Sequence, residues 1–227
     1  IRIREATTGT ANVANCPTTD TVCVIELLYA VDGGRYRAEP PGGPATRFQF
    51  GINETDFDVI GTLQNFAQIN VGATPDWVVV NNQTTTGNQY NAYFGDNRGQ
   101  LTVAGTTATH MRLAGHNFAA ALASPRQRFY VVNGPVTFLC NTTTGTLTRY
   151  AGYPITMNHA SVDTDGELTG AGATGSRAAR QVSACRFAYT PGTNTRGGLI
   201  TIDLTVRDAD TAEQVRLLHQ VHVHNVP

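Results

Sequence analysis

The chain ends in LLHQVHVHNVP, where three histidines within six residues raise the question of a metal site. In an extended strand the side chains of alternate residues share a face, so His222 and His224 point the same way and His219 points away. An HxH pair supplies two zinc ligands, whereas a zinc site needs at least three. We keep His222 and His224 as candidate zinc ligands. The favoured alternative is a half-exposed terminal strand that turns Val221 and Val223 to the core.

A second cluster, DTDGE, places three carboxylates within five residues and beside a glycine: Asp163, Asp165 and Glu167. This spacing resembles the opening of an EF-hand calcium loop. Flanking helices are not predicted, however, and the twelfth position of such a loop is Thr174 rather than a glutamate. Calcium and zinc are the two cofactor hypotheses that the sequence offers. For this cluster a solvated acidic turn is the favoured interpretation.

The four cysteines are Cys16, Cys23, Cys140 and Cys185, and none has the CxxC spacing of a zinc knuckle or a redox motif. We expect two disulfides, with free or metal-bound thiols as the alternative. The short separation favours Cys16–Cys23 as a local loop and leaves Cys140–Cys185 to join two later strands. Disulfides would place the domain outside the cytosol.

The segment NQYNAYFGDN is polar, aromatic and loop-like, and aromatic rings stack on sugars. Tyr90, Tyr93 and Phe94 are therefore candidates for an exposed contact, either with a glycan or with another subunit. Trp77 and Tyr130 start predicted strands and are expected to pack in the core.

Sequence motifs of catalysis are absent: the chain has no GxSxG, no HExxH and no phosphate-binding glycine loop. Charged residues make up only 15% of the chain and the formal net charge is −1, which favours neither nucleic acid nor an anionic membrane surface as a partner. We expect a protein without enzymatic activity.

The elements that position these residues are almost all strands, because helical periodicity is nearly absent. One β-rich domain is expected over residues 1–227. Strands are predicted within the segments 1–5, 22–30, 48–52, 56–60, 76–82, 109–114, 128–134, 136–141, 146–153, 186–192, 198–208 and 213–225.

Loops and short helices separate these strands. Short helices are predicted near 61–67 and 117–123, and the stretch 162–179, rich in Gly, Ala and Thr, is expected to be an exposed, mobile loop. The last two strands are separated by only ADTA and predict an antiparallel hairpin.

Four stretches carry a family resemblance when taken together: GGRYRAEPPG, RFYVVNGPVTFLC, RYAGYPI and the terminal GLITIDLTVRD…VRLLHQVHVHNVP. Their order and spacing resemble the soluble domain of type IV pilin-like (prepilin) proteins. The greatest similarity is to the MshO group of minor pilins in the mannose-sensitive haemagglutinin pilus system. The resemblance covers the chain from about residue 22 to the C-terminus.

The resemblance implies a pilin-like antiparallel β-sheet domain with long loops, preceded in the family by a cleaved leader and a hydrophobic helix. That helix is missing from this sequence, and IRIRE would be the first strand after it. The implied role is that of a minor pilin at the bacterial cell surface, which helps to initiate or cap a pilus. Its partners would be other minor and major pilin subunits and, through the helix, the inner-membrane assembly machinery. The alternative is a secreted carbohydrate-binding or adhesin β domain.

Overall fold

The computed structural model describes residues 1–5, 10–11, 16, 21–39, 46–84, 90–102, 104–192 and 197–223. Its strands are β1 (Arg2–Glu5), β2 (Thr10–Ala11), β3 (Val22–Tyr36), β4 (Asn53–Ile60), β5 (Trp77–Val80), β6 (Arg98–Gln100), β7 (His110–Asn117), β8 (Arg128–Asn141), β9 (Thr146–Ala151), β10 (Thr174–Arg180), β11 (Val182–Thr190), β12 (Gly198–Arg207) and β13 (Gln214–Val223). Within these ranges, the helical elements are α1 (Asp165–Gly170) and three 3-10 turns at Phe66–Gln68, Ala120–Leu122 and His159–Ser161. The prediction of a mainly β chain with antiparallel sheets is confirmed.

The chain divides into two compact units, of which the first contains Ile1–Leu28 and Pro135–Val226. Its larger sheet has the strand order β10-β9-β8-β3-β1-β2, with β3 and β8 contributing their residues from this unit. Its smaller sheet has the order β11-β12-β13. The last two strands form the predicted hairpin, with Leu199 paired to His222 and Arg207 to Gln214.

Two disulfides, Cys16–Cys23 and Cys140–Cys185, lie in the core of this unit, as predicted. The second joins β8 to β11 and therefore ties the smaller sheet to the larger one. The buried residues packed with these cysteines are apolar: Ile3, Ile25, Val182, Phe187 and Ile200. Alternation in the strands explains this arrangement, since Cys185 and Phe187 share one face of β11.

The second unit contains Tyr29–Gly134. Here β4 pairs with the end of β3 and with β7, while β5 lies between β6 and β8. Its core is aromatic: the ring of Phe48 lies 4.8 Å from those of Tyr36 and Phe57 and 5.0 Å from that of Phe118, measured between centroids. The contacts of Phe48 with Phe57 and Phe118 are edge-on, a geometry that stabilises aromatic clusters beyond the burial of their area.

Several predicted elements differ from the structure. The segment 48–52 is not a strand, and the following strand begins earlier than predicted, at Asn53. The two predicted strands around Gly134 form one continuous strand, β8. The segment 162–179, predicted to be a mobile loop, contains α1 and most of β10. A capping box between Thr164 and Glu167 starts the helix.

Candidate functional site: an uncovered sheet face and a buried ion-pair network

Strand β13 exposes a row of apolar side chains on one face of the smaller sheet. The fractional exposures of Val215, Leu217 and Val221 are 60%, 54% and 38%. Their partners across the ladder are Val206, Leu204 and Ile200. We call Val215, Leu217 and Val221, together with Ile202 and Leu204 of β12, the apolar stripe.

The apolar stripe continues a face that is buried on the neighbouring strand. Leu204 and Ile202 of β12 pair on their other side with Cys185 and Phe187 of β11, both of which are buried. Burial thus decreases from β11 through the partly buried β12 to the exposed β13. A sheet face that is apolar at its exposed edge is typical of a surface that packs against another segment or subunit.

The opposite face of the hairpin is polar. Arg216 donates from Nε to Oδ1 of Asp203 at 2.8 Å and from Nη2 to Oδ2 at 2.6 Å, and the hydrogen bonds from Arg216 lower the pKa of Asp203. Gln220 Nε2 lies 3.5 Å from Oγ1 of Thr201 on the same face. Leu218 is an exception, since it is exposed by 64% on this polar face.

The histidines of the terminal strand lie on opposite faces of β13. His219 pairs with Ile202 on the face of the apolar stripe, whereas His222 pairs with Leu199 on the polar face. His224, the second candidate zinc ligand, lies outside the described residues. Val223 packs against the core as expected, but Val221, also predicted to face the core, is 38% exposed.

Of the three acidic residues proposed for calcium, Asp165 and Glu167 lie in the first turn of α1 and Asp163 precedes its N-cap, and they do not form an open ligand loop. Asp163 forms an ion pair with Arg4, and Asp165 accepts a hydrogen bond from the Tyr150 hydroxyl. The carboxylate of Glu167 accepts from the backbone amide of Thr164 at 3.2 Å and from its hydroxyl at 2.9 Å. Each carboxylate is therefore occupied by its own protein partner.

Over the described ranges, no group of three or more His, Cys, Asp or Glu side chains is arranged to hold a metal ion. The burial of Asp163 raises its pKa, although Arg4 acts in the opposite direction. The pKa of Tyr150 is raised to about 12, mainly by burial and to a smaller extent by the hydrogen bond to Asp165.

A buried network that the sequence analysis missed links β1, β3 and β8 within the larger sheet through the side chains of Arg2, Glu26, Thr137 and Tyr153. Arg2 donates to Glu26 Oε1 from Nε at 3.0 Å and from Nη2 at 2.5 Å, and both side chains are almost completely buried. Tyr153 donates its hydroxyl to Glu26 Oε2 at 2.8 Å and lies 2.6 Å from the Thr137 hydroxyl. The pKa of Tyr153 is raised, mainly by burial and to a smaller extent by the charge of Glu26. The network satisfies a carboxylate that would otherwise be costly to bury.

His159 lies beside this network and is only 4% exposed. Among the described residues, neither of its ring nitrogens has a hydrogen-bond partner. Its pKa is lowered to about 3, mainly by burial and to a smaller extent by the positive charges of Arg2 and Arg4. His159 is therefore a neutral, buried imidazole near neutral pH.

The aromatic residues proposed for a surface contact differ in how much of each side chain is exposed. Phe94 is 45% exposed, whereas Tyr93 is only 1% exposed, so the expectation that Tyr93 lies at the surface is wrong. Tyr90 is half-buried, and its hydroxyl donates to the carbonyl oxygen of Ala121 at 2.8 Å. Trp77 and Tyr130 are half-buried rather than core residues. The guanidinium carbon Cζ of Arg98 lies over the Trp77 ring, 4.7 Å from its centroid.

None of the helices in the described residues has the length and apolar character needed to cross a membrane. No protein-family model, curated protein or solved structure matches the chain.

Proposed function

We propose that the chain is the β-rich domain of a pilin-like minor subunit, which acts by packing against other subunits and not by catalysis. The observation that carries the proposal is the apolar stripe, because it continues a buried sheet face and is left uncovered at β13. The order and spacing of the four resembling sequence stretches supply the pilin-like character.

The chemistry of the stripe favours a partner that buries apolar area. Val215 and Leu217 are both more than half exposed, and burying the exposed part of each gains roughly half of the 1.5–3 kcal/mol that a fully exposed side chain would give. A hydrophobic helix of the kind that precedes the domain in pilin-like proteins, or the face of a neighbouring subunit, has the matching chemistry. The same burial would stabilise assembly at the start or tip of a filament.

Other features fit this role. The two disulfides are typical of an oxidising compartment, as expected for a pilus subunit at the bacterial cell surface. The buried network fixes β1, the strand that would follow the N-terminal helix, through Arg2 and Glu26. Fixing this strand would couple the helix to the body of the domain.

Two adjacent leucines provide a matched test of the proposal. Leu217→Arg places a charge in the apolar stripe, whereas Leu218→Arg places it on the polar face of the same strand. Each variant would replace the native gene in the source bacterium, and sheared surface filaments would be quantified by immunoblot. We expect the first variant to lose filament assembly and the second to retain it.

Thermal unfolding of both purified variants separates assembly from folding, since both positions are more than half exposed. Normal filaments in the Leu217→Arg strain would contradict the packing role.

Sequencing the gene upstream of Ile1 tests the family: a prepilin leader with a hydrophobic run of about 20 residues supports it. A conventional signal peptide would instead favour a secreted β domain.

A further inference from the structure

A depression of about 500 Å³ lies in the second unit, between residues 30–35 of β3 and 128–130 of β8. Its volume falls within the range of about 300–1,000 Å³ that is usual for small-molecule sites. It is separate from the apolar stripe, which belongs to the first unit.

Two consecutive glycines of β3 let aromatic rings of β8 pack directly against the β3 backbone beside the depression. A Cβ atom on Gly33 would lie 2.9 Å from Cδ1 of Tyr130, and one on Gly34 would lie 3.1 Å from Cε1 of Phe129. The Tyr130 ring therefore lies over the backbone of Gly33 and is half-buried. This half-buried ring forms part of the wall of the depression.

Positive charge borders this ring. Arg35 and Arg128 both line the depression, and Arg35 is exposed. The guanidinium of Arg35 donates from Nε to the carbonyl oxygen of Arg126 at 3.2 Å and contacts Gln127 Oε1 from Nη2 at 3.5 Å. Both acceptors are neutral, so the group is positioned without being neutralised. Within the described ranges, Arg35 forms no ion pair.

The one carboxylate in the lining is turned towards the backbone. Oδ1 of Asp32 accepts from the amide of Gly33 at 2.8 Å, and Oδ2 accepts from the amide of Asn65 at 2.6 Å. The guanidinium of Arg35, which has only neutral acceptors among the described residues, therefore favours an anionic ligand.

We propose that this depression binds an acidic sugar, a hexuronate, with its carboxylate on Arg35 and its apolar ring face against Tyr130. Guanidinium groups bind carboxylates through paired hydrogen bonds. An aromatic ring supplies the apolar contact that orients the ligand. A nucleic-acid strand fits less well, since such surfaces combine a long basic groove with successive stacking rings. This inference does not depend on the proposed packing role.

Ligand-observed NMR with the purified chain tests the site. D-glucuronate is the probe, D-glucose is its neutral counterpart, and a disaccharide ending in glucuronate distinguishes a chain end from the free acid. We expect millimolar binding of both glucuronate ligands and none of glucose. Equal binding of glucose, no binding of either glucuronate ligand, or competition by a single-stranded oligonucleotide with higher affinity would overturn the proposal.

Arg126 supplies the matched control for Arg35. Both arginines are exposed and lie close together, but the side chain of Arg126 does not line the depression. We expect Arg35→Gln to weaken glucuronate binding about tenfold, as the loss of a charged hydrogen bond implies. Arg126→Gln removes the same charge and should bind as the native chain does. An equal loss in both variants would indicate general electrostatic attraction and would reject the site.

Discussion

The Tyr153 hydroxyl donates a 2.8 Å hydrogen bond to Glu26, whose side chain is completely buried. The two residues are separated by 127 positions in the chain, and the bond links β3 to the segment that follows β9. The other oxygen of Glu26 accepts from Arg2, which makes this carboxylate the centre of the network. Removing any one donor leaves part of a buried charge unsatisfied.

Tyr153→Phe should therefore destabilise the chain by about 1.5–3 kcal/mol, the usual effect of losing a hydrogen bond to a charged group. Urea denaturation at neutral pH measures this loss. Tyr29→Phe is the control, because Tyr29 is 50% exposed and should cost little. A Tyr153→Phe variant as stable as the Tyr29→Phe variant would show that the network is not stabilising.

The raised pKa of Tyr153 adds a prediction at alkaline pH. Burial and the charge of Glu26 keep this phenol protonated in the folded chain, whereas in the unfolded chain it loses its proton near pH 10. Stability should therefore decrease as the pH rises above about 10. Tyr153→Phe should show a smaller decrease than the native chain when unfolding midpoints are compared between neutral and alkaline pH.

His159 predicts a loss of stability in acid. Its folded pKa is lowered to about 3, so the unfolded chain takes up a proton first as the pH falls. Stability should decrease between about pH 6.5 and pH 3, with a limiting slope of about 1.4 kcal/mol per pH unit. Unfolding midpoints at several pH values measure this slope.

A glutamine at position 159 does not titrate, so His159→Gln should have a shallower dependence on pH than the native chain. His222→Gln is the control, since His222 lies on the exposed strand β13. This variant also loses one histidine but leaves His159 and its buried surroundings in place. Identical slopes for all three proteins would show that His159 does not titrate with folding.

The two disulfides should differ in their contribution to stability. They close loops with separations of 45 and 7 residues, and the longer loop restricts the unfolded chain more. Replacing Cys140 and Cys185 by alanine should cost about 4 kcal/mol, and replacing Cys16 and Cys23 about 2.5 kcal/mol. Denaturation under non-reducing conditions compares the two double variants. A larger loss for the shorter loop would contradict this ordering.

The alternation of residues in β13 was sufficient to assign side chains to faces. It separated His219 from His222 correctly, because successive side chains of a strand point in opposite directions. It did not predict that Val221 would be exposed, since the covering of a face depends on what packs across the sheet. The local spacing of the cysteines was likewise sufficient for both disulfides.

The buried network could not be predicted from local patterns. Arg2 and Glu26 are 24 residues apart, and Arg4 and Asp163 are 159 apart, so only the completed fold brings them together. The start of α1 was different, because the sequence TDGE (164–167) already carried the signature of a capping box. Its small and polar surroundings favoured a loop, and this composition concealed the helix.

The capping box of α1 gives the last prediction. The amide of Glu167 donates to the Thr164 hydroxyl at 3.3 Å, and the amide of Thr164 donates back to the Glu167 carboxylate at 3.2 Å. Thr164→Ala removes the first bond, together with the bond from the hydroxyl to the Glu167 carboxylate, and should cost about 1 kcal/mol, the usual value for an N-cap residue. Thr164→Ser keeps a hydroxyl in the same place and should retain native stability, since serine is at least as good an N-cap. Urea denaturation compares the two variants, and an equal loss in both would show that the hydroxyl does not stabilise the helix.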